Sequence, residues 1–169
     1  MLKSLALTLA LLAAPAMAQE DLQIDAAILD TCLEATSAEQ GDDAESCIGL
    51  AAQKCMESPG GDTTAGMSIC TGKELDLWDA KLNESYRALT AKAEATDREM
   101  DELGSAAEKQ QPLLRDMQRN WIGFRDAACG FERSQWGGGS GGGPAGVGCM
   151  LDMTARQYLR LDRYLDEGA

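Results

Sequence analysis

TGKELDLWDAKLNESYRALTAKAEATDREMDELG, residues 71–104, decides the fold. Its apolar side chains Leu75, Trp78, Leu82, Tyr86, Leu89 and Ala93 recur at steps of three and four. That spacing is the period of an amphipathic helix that buries one face. Thr71-x-x-Glu74 reads as a capping box at its start, and Gly104 as its stop.

The same period returns twice downstream. Leu114, Met117, Trp121, Phe124 and Ala128 form a second stripe, with Pro112 suited to its first turn. Leu151, Thr154, Tyr158, Leu161 and Leu165 form a third. No β-type alternation of useful length occurs. The expectation is an all-α fold. Two long helices joined by a short polar link form an antiparallel pair, and a C-terminal helix packs across them. All eight aromatic residues lie at or beyond Trp78, so the main core belongs to this part of the chain. Between the second and third stripes runs a glycine-rich segment, 137–148, with Trp136 before it. No Gly-Lys-Ser/Thr follows, which excludes a phosphate loop. The segment is expected to be a flexible loop closed at its base by Cys129 and Cys149.

Upstream, residues 21–37 place Ile24, Ile28 and Cys32 on one helical stripe. Gly41-Asp42-Asp43 is a turn, Asp43 is positioned to cap a second short helix carrying Cys47 and Cys55, and Ser58-Pro-Gly-Gly-Asp62 ends it. Geometry selects the pairing of the four cysteines here. Cys47 and Cys55 on one helix would sit about 12 Å apart along its axis, whereas a disulfide needs Cα atoms within about 7 Å. Cys32 and Cys47 are symmetric about the turn near residue 40, and Cys55 and Cys70 about the turn near residue 62. The expected bridges are Cys32–Cys47, Cys55–Cys70 and Cys129–Cys149, the first stapling an N-terminal helical hairpin. A zinc site is disfavoured, because no two cysteines are closer than eight positions.

The first 18 residues have the form of an export signal. Lys3 is their only charge, an apolar run spans 5–14, and Ala16-Met17-Ala18 is a small-residue cleavage site. The run is about half the ~20 residues needed to cross a bilayer. The mature chain is therefore expected in the periplasm or outside the cell, beginning after Ala18, with no membrane span. It divides into an acidic, cysteine-containing extension, 19–54, and a helical domain, 55–166. Cleavage takes the net charge from −13 to −14. Such acidity repels nucleic acid and favours a cationic partner or, as for any acidic surface, simple solubility.

Catalytic chemistry has little to draw on. The chain has no histidine, so the usual base near neutral pH and the commonest metal ligand are missing. Six paired cysteines leave no thiolate, and no Gly-x-Ser-x-Gly elbow is present. No enzyme activity, metal or cofactor is expected.

Gln118-x-x-Trp121-x-x-x-Arg125-Asp126-x-x-Cys129, with Leu82-Asn83-x-x-Tyr86 before it and Cys149-x-x-x-x-Thr154-x-Arg156 after it, resembles the LprI-type lysozyme inhibitor family. Cys55 and Cys70 match that family's upstream pair. The resemblance covers about residues 55–165. It implies an all-α exported domain and, for at least some members, inhibition of lysozyme. The Cys32–Cys47 extension and the bare glycine stretch depart from the family pattern.

Asn83, Tyr86, Gln118, Trp121, Arg125, Asp126, Thr154 and Arg156 read mainly as fold determinants. Gln118, Trp121, Arg125 and Cys129 share one helical face, expected to meet the helix bearing Asn83 and Tyr86. Arg125 is charged at any pH, so its burial needs an acceptor such as Asp126, Glu84 or helix-end carbonyls. Trp136 lies off every stripe and is either exposed or laid over the disulfide. With Phe131 and Gln135 it is the candidate contact for a basic lysozyme-type muramidase, with the glycines as slack. The alternative is a structural or envelope-stress module that binds another envelope protein or a cell-wall component.

Overall fold

The computed structural model describes residues 22–38 and 44–166. Five α-helices make up the described chain: α1 (Ala26–Ala38), α2 (Leu50–Met56), α3 (Thr64–Glu102), α4 (Gln110–Ser134) and α5 (Gly142–Asp166), with a 3-10 turn at Ala44–Cys47. No strand occurs among the described residues. The segment 1–18 and the turn Gly41–Asp43 lie outside them.

Helix α3 runs for 39 residues, about 58 Å at 1.5 Å per residue. It starts earlier than its apolar stripe. Thr63 is the N-cap, and its hydroxyl accepts from the Gly66 N–H at 2.9 Å. The turn before it folds back so closely that a Cβ on Gly66 would lie 2.0 Å from the Gly60 carbonyl. Thr71 and Glu74 therefore sit inside the helix and do not form a capping box at its start. The stop at Gly104 is as expected. Its N–H bonds the Asp101 carbonyl at 3.0 Å and the Ser105 N–H bonds the Met100 carbonyl at 2.9 Å, closing a Schellman motif.

Contacts along the chain set the bundle topology. Near one end Ser68 and Gly72 of α3 meet Gly143 and Val147 of α5, and near the other Lys92 donates to the carbonyls of Tyr164 and Leu165. Helix α5 thus lies parallel to α3. Helix α4 runs opposite to both, joined to α5 by Cys129–Cys149 at one end and packed by Leu114 on Leu161 at the other. The result is an up–down–up bundle, with α5 along both partners rather than across them. One core cluster gathers Trp78, Leu151 and Ala155 with Leu29 of α1 and Cys47. A second joins Leu22, Ala52, Cys55 and Cys70, and a third joins Leu82, Ala93, Leu114 and Leu161.

All three expected disulfides are present, with Cα separations of 5.8, 5.6 and 5.4 Å in chain order. The single helix expected across Cys47 and Cys55 is divided. Gly49 takes φ +91° between the 3-10 turn and α2, a left-handed conformation that glycine adopts at no steric cost.

The glycine-rich segment is corrected most. From Gly142 onward it is helix, and only 135–141 form the connection. Each interior glycine costs about 1 kcal/mol relative to alanine, so local preference alone would not choose helix. Packing does. A Cβ on Gly142 would lie 3.2 Å from the Arg133 carbonyl, and one on Gly146 3.3 Å from the Arg133 side chain. The absent side chains let the start of α5 close on α4 and α3, Pro144 suits the first turn, and Cys149 pins the next. Phe124 is a second correction, being 66% exposed. At 100° per residue it lies a full 100° from Arg125, off the buried line through Leu114, Gln118, Arg125 and Cys129.

Candidate functional site

Helix α3 supplies carboxylates to the N-termini of two other helices. Glu74 is fully buried. One of its oxygens accepts from the Gly49 N–H at 2.7 Å and from the Trp78 indole N–H at 2.9 Å. The other accepts from the Ala52 N–H at 2.6 Å. It therefore caps α2 from across the interface. Asp97 does the same for α4, accepting from Gln110 N–H at 2.7 Å and Gln111 N–H at 3.0 Å. Desolvation pushes the Asp97 carboxyl up, but these two bonds and the charge of Lys109 outweigh it, so it titrates below the ordinary range. Sequence reading assigned Glu74 to the wrong helix end and passed over Asp97. The signal available for Glu74 was its place four residues before Trp78, a carboxylate on the apolar face.

The motif residues converge on the seam between α4 and α5, not on α3. Gln157 donates its amide to Gln118 at 3.0 Å, both side chains being buried. Arg125 lies 4.9 Å from the centre of the Trp121 ring, a cation–π contact. It donates to Asp126, the first of its expected acceptors, at 2.9 Å and to the Thr154 hydroxyl at 3.3 Å. Cys129 and Cys149 close the row, with the Met153 sulfur 3.8 and 3.9 Å from theirs. The face therefore meets α5, and Asn83 is not part of it. Asn83 is exposed and donates to the carbonyl and carboxylate of Asp79 on its own helix. Tyr86 packs at the edge of the third core cluster. Arg156 is exposed and holds Asp152 at 3.0 Å and the Glu45 carboxylate, tying α5 to the 3-10 turn.

At the corner after α4 the surface is aromatic. Trp136 is 52% exposed and Phe131 67% exposed. The Trp136 ring lies across Gly141, where a Cβ would come within 2.2 Å of it. Trp136 is thus both exposed and fixed in orientation. Gln135 is exposed and donates to the Glu132 carboxylate at 3.3 Å. Among the described residues no three His, Cys, Asp or Glu side chains are grouped as metal ligands, and no helix is long and apolar enough to cross a membrane.

These features define a class: small, acidic, all-helical domains stapled by disulfides. Three disulfides suit an oxidising compartment outside the cytoplasm. Residues 55–161 match the family model described as Lysozyme inhibitor LprI, and the chain belongs to that family. An uncharacterized protein of Rhizobium meliloti (strain 1021), R02472, is 30% identical over 100 residues, which span 59% of this chain and 72% of that protein. No solved structure matches the chain.

Proposed function

We propose that this protein binds and blocks a basic, lysozyme-type muramidase outside the cytoplasm, without catalysis, after removal of residues 1–18. The family match over 55–161 carries the reading. Charge supports it. At net −13 the chain attracts a cationic partner over a Debye length of about 10 Å at 0.1 M salt. The proposed contact is the corner formed by Trp136, Phe131 and Gln135. Ordering a flexible glycine-rich loop of about ten residues would cost on the order of 10 kcal/mol. A short connection running into helix, with Trp136 already seated on Gly141, avoids most of that cost.

The test measures inhibition of several lysozymes by the purified, oxidised mature protein at rising salt. Association should slow as salt rises. Trp136→Ala should weaken inhibition at least about tenfold, as for an exposed aromatic anchor, with an unchanged melting temperature. Inhibition of no lysozyme would refute the function. Full inhibition by Trp136→Ala would refute the contact surface.

A further inference from the structure

Helix α4 carries a seam that includes Met117, half-buried on the third core cluster, and that the bundle leaves uncovered at Leu113, Phe124 and Phe131. Met117, Phe124 and Phe131 are spaced by seven, which returns them to one line within about 20° per step. Leu113, Phe124 and Phe131 are 55%, 66% and 67% exposed. Between these large residues lie Asn120, Ala127 and Ser134, also spaced by seven and all exposed. None of these seven seam positions is charged.

We propose that this seam joins two copies of the chain, α4 against α4 and antiparallel, about a twofold axis near residue 122. Shape argues for a second copy. In that register Phe124 of one copy faces Asn120 of the other, Met117 faces Ala127, and Phe131 faces Leu113. Large residues meet small ones throughout, except where Phe131 arrives at Leu113. There the bundle offers room. Leu113 lines a groove of about 640 Å³ with Leu89, Ala93, Leu114, Met117 and Tyr164. The same surface is thus knob at one end and hole at the other, as a twofold interface requires.

Charge argues the same way. Helix α4 holds four arginines and three carboxylates, in a chain of net −13. Two copies of an acidic chain repel least where they meet on α4. An interface made by one helix face belongs at the low end of interface sizes, below about 1,200 Å² in total, so the dimer is expected to dissociate on the order of 10 µM. Phe131 also belongs to the corner proposed for lysozyme, whereas Phe124 does not, so the diagnostic substitution is placed at Phe124.

The experiment is sedimentation velocity of the oxidised mature protein over about 1 to 500 µM, a range spanning that constant. The parent should pass from monomer to dimer. Phe124→Asp should weaken the dimer at least about tenfold by burying a charge, and Ala127→Leu should weaken it by filling the space for Met117. Circular dichroism should show both folded as the parent. A parent monomeric throughout, or a Phe124→Asp variant that dimerises like the parent, would overturn the proposal. A monomeric parent whose Phe124→Asp form loses lysozyme binding would overturn it too, by assigning the seam to lysozyme.

Discussion

Replacing Glu74 by glutamine changes little in size but removes an acceptor from a fully buried network. The two carboxylate oxygens receive three donors, from Gly49, Ala52 and Trp78. In Glu74→Gln one oxygen becomes an NH2 group. If the amide oxygen keeps Gly49 and the indole, the NH2 faces the Ala52 N–H, donor against donor. One charge-assisted bond is lost, worth about 1.5–3 kcal/mol, and a buried donor left unmet costs about 1–3 kcal/mol more. Relief from burying a charge offsets part of this. The net loss should be about 3 kcal/mol. For a domain of this length that lowers the melting temperature by roughly 10 °C. Urea unfolding followed by far-ultraviolet circular dichroism gives the free energy. Hydrogen exchange gives the location, since the Ala52 amide should exchange much faster in the variant. An unfolding midpoint equal to the parent's, with Ala52 equally protected, would refute the claim that Glu74 organises the start of α2.

Two further predictions concern pH. The folded-state pKa of Asp97 lies below the ordinary carboxylate range, so its contribution is present above that range and is lost as pH falls through the folded value. Asp97→Asn should therefore melt lower than the parent at neutral pH, and the two melting curves should converge in acid. Asp162 is the reverse case: desolvation and the neighbouring charge of Asp166 raise its carboxyl, so its relative stability is greatest below the unfolded value and is lost as pH rises through the folded one. Asp162→Asn should melt higher than the parent at neutral pH and no higher in acid, which calorimetry at two pH values would check.

The three long helices were legible because their apolar residues keep a strict period, and the disulfides because antiparallel elements bring symmetric positions to one height. What stayed hidden depended on partners distant in sequence. Glu74 looks like a local cap until α2 is laid against it. The helix from Gly142 contradicts glycine's preference and exists because Arg133, Ser68 and Cys129 hold it. Phe124 fitted a three-and-four pattern, but α4 turns its buried line toward α5, through Gln118, Arg125 and Cys129, and leaves Phe124 outside. The seam residues were legible as a motif, while the identity of the helix they face was not, because one periodic stripe looks the same whichever neighbour covers it.

The capping of α2 by Glu74 also bears on how the family can diverge. The shared segment begins at Cys55, yet two of the three donors to Glu74 come from Gly49 and Ala52, upstream of it. Trp78, likewise inside the shared segment, is packed by Leu29 and Cys47 from outside. Inheritance and physical integrity therefore have different borders in this molecule. A relative lacking the upstream residues could not keep a glutamate at the position of Glu74 without exposing it to water or pairing it anew. The extension and that glutamate should accordingly be present or absent together among relatives.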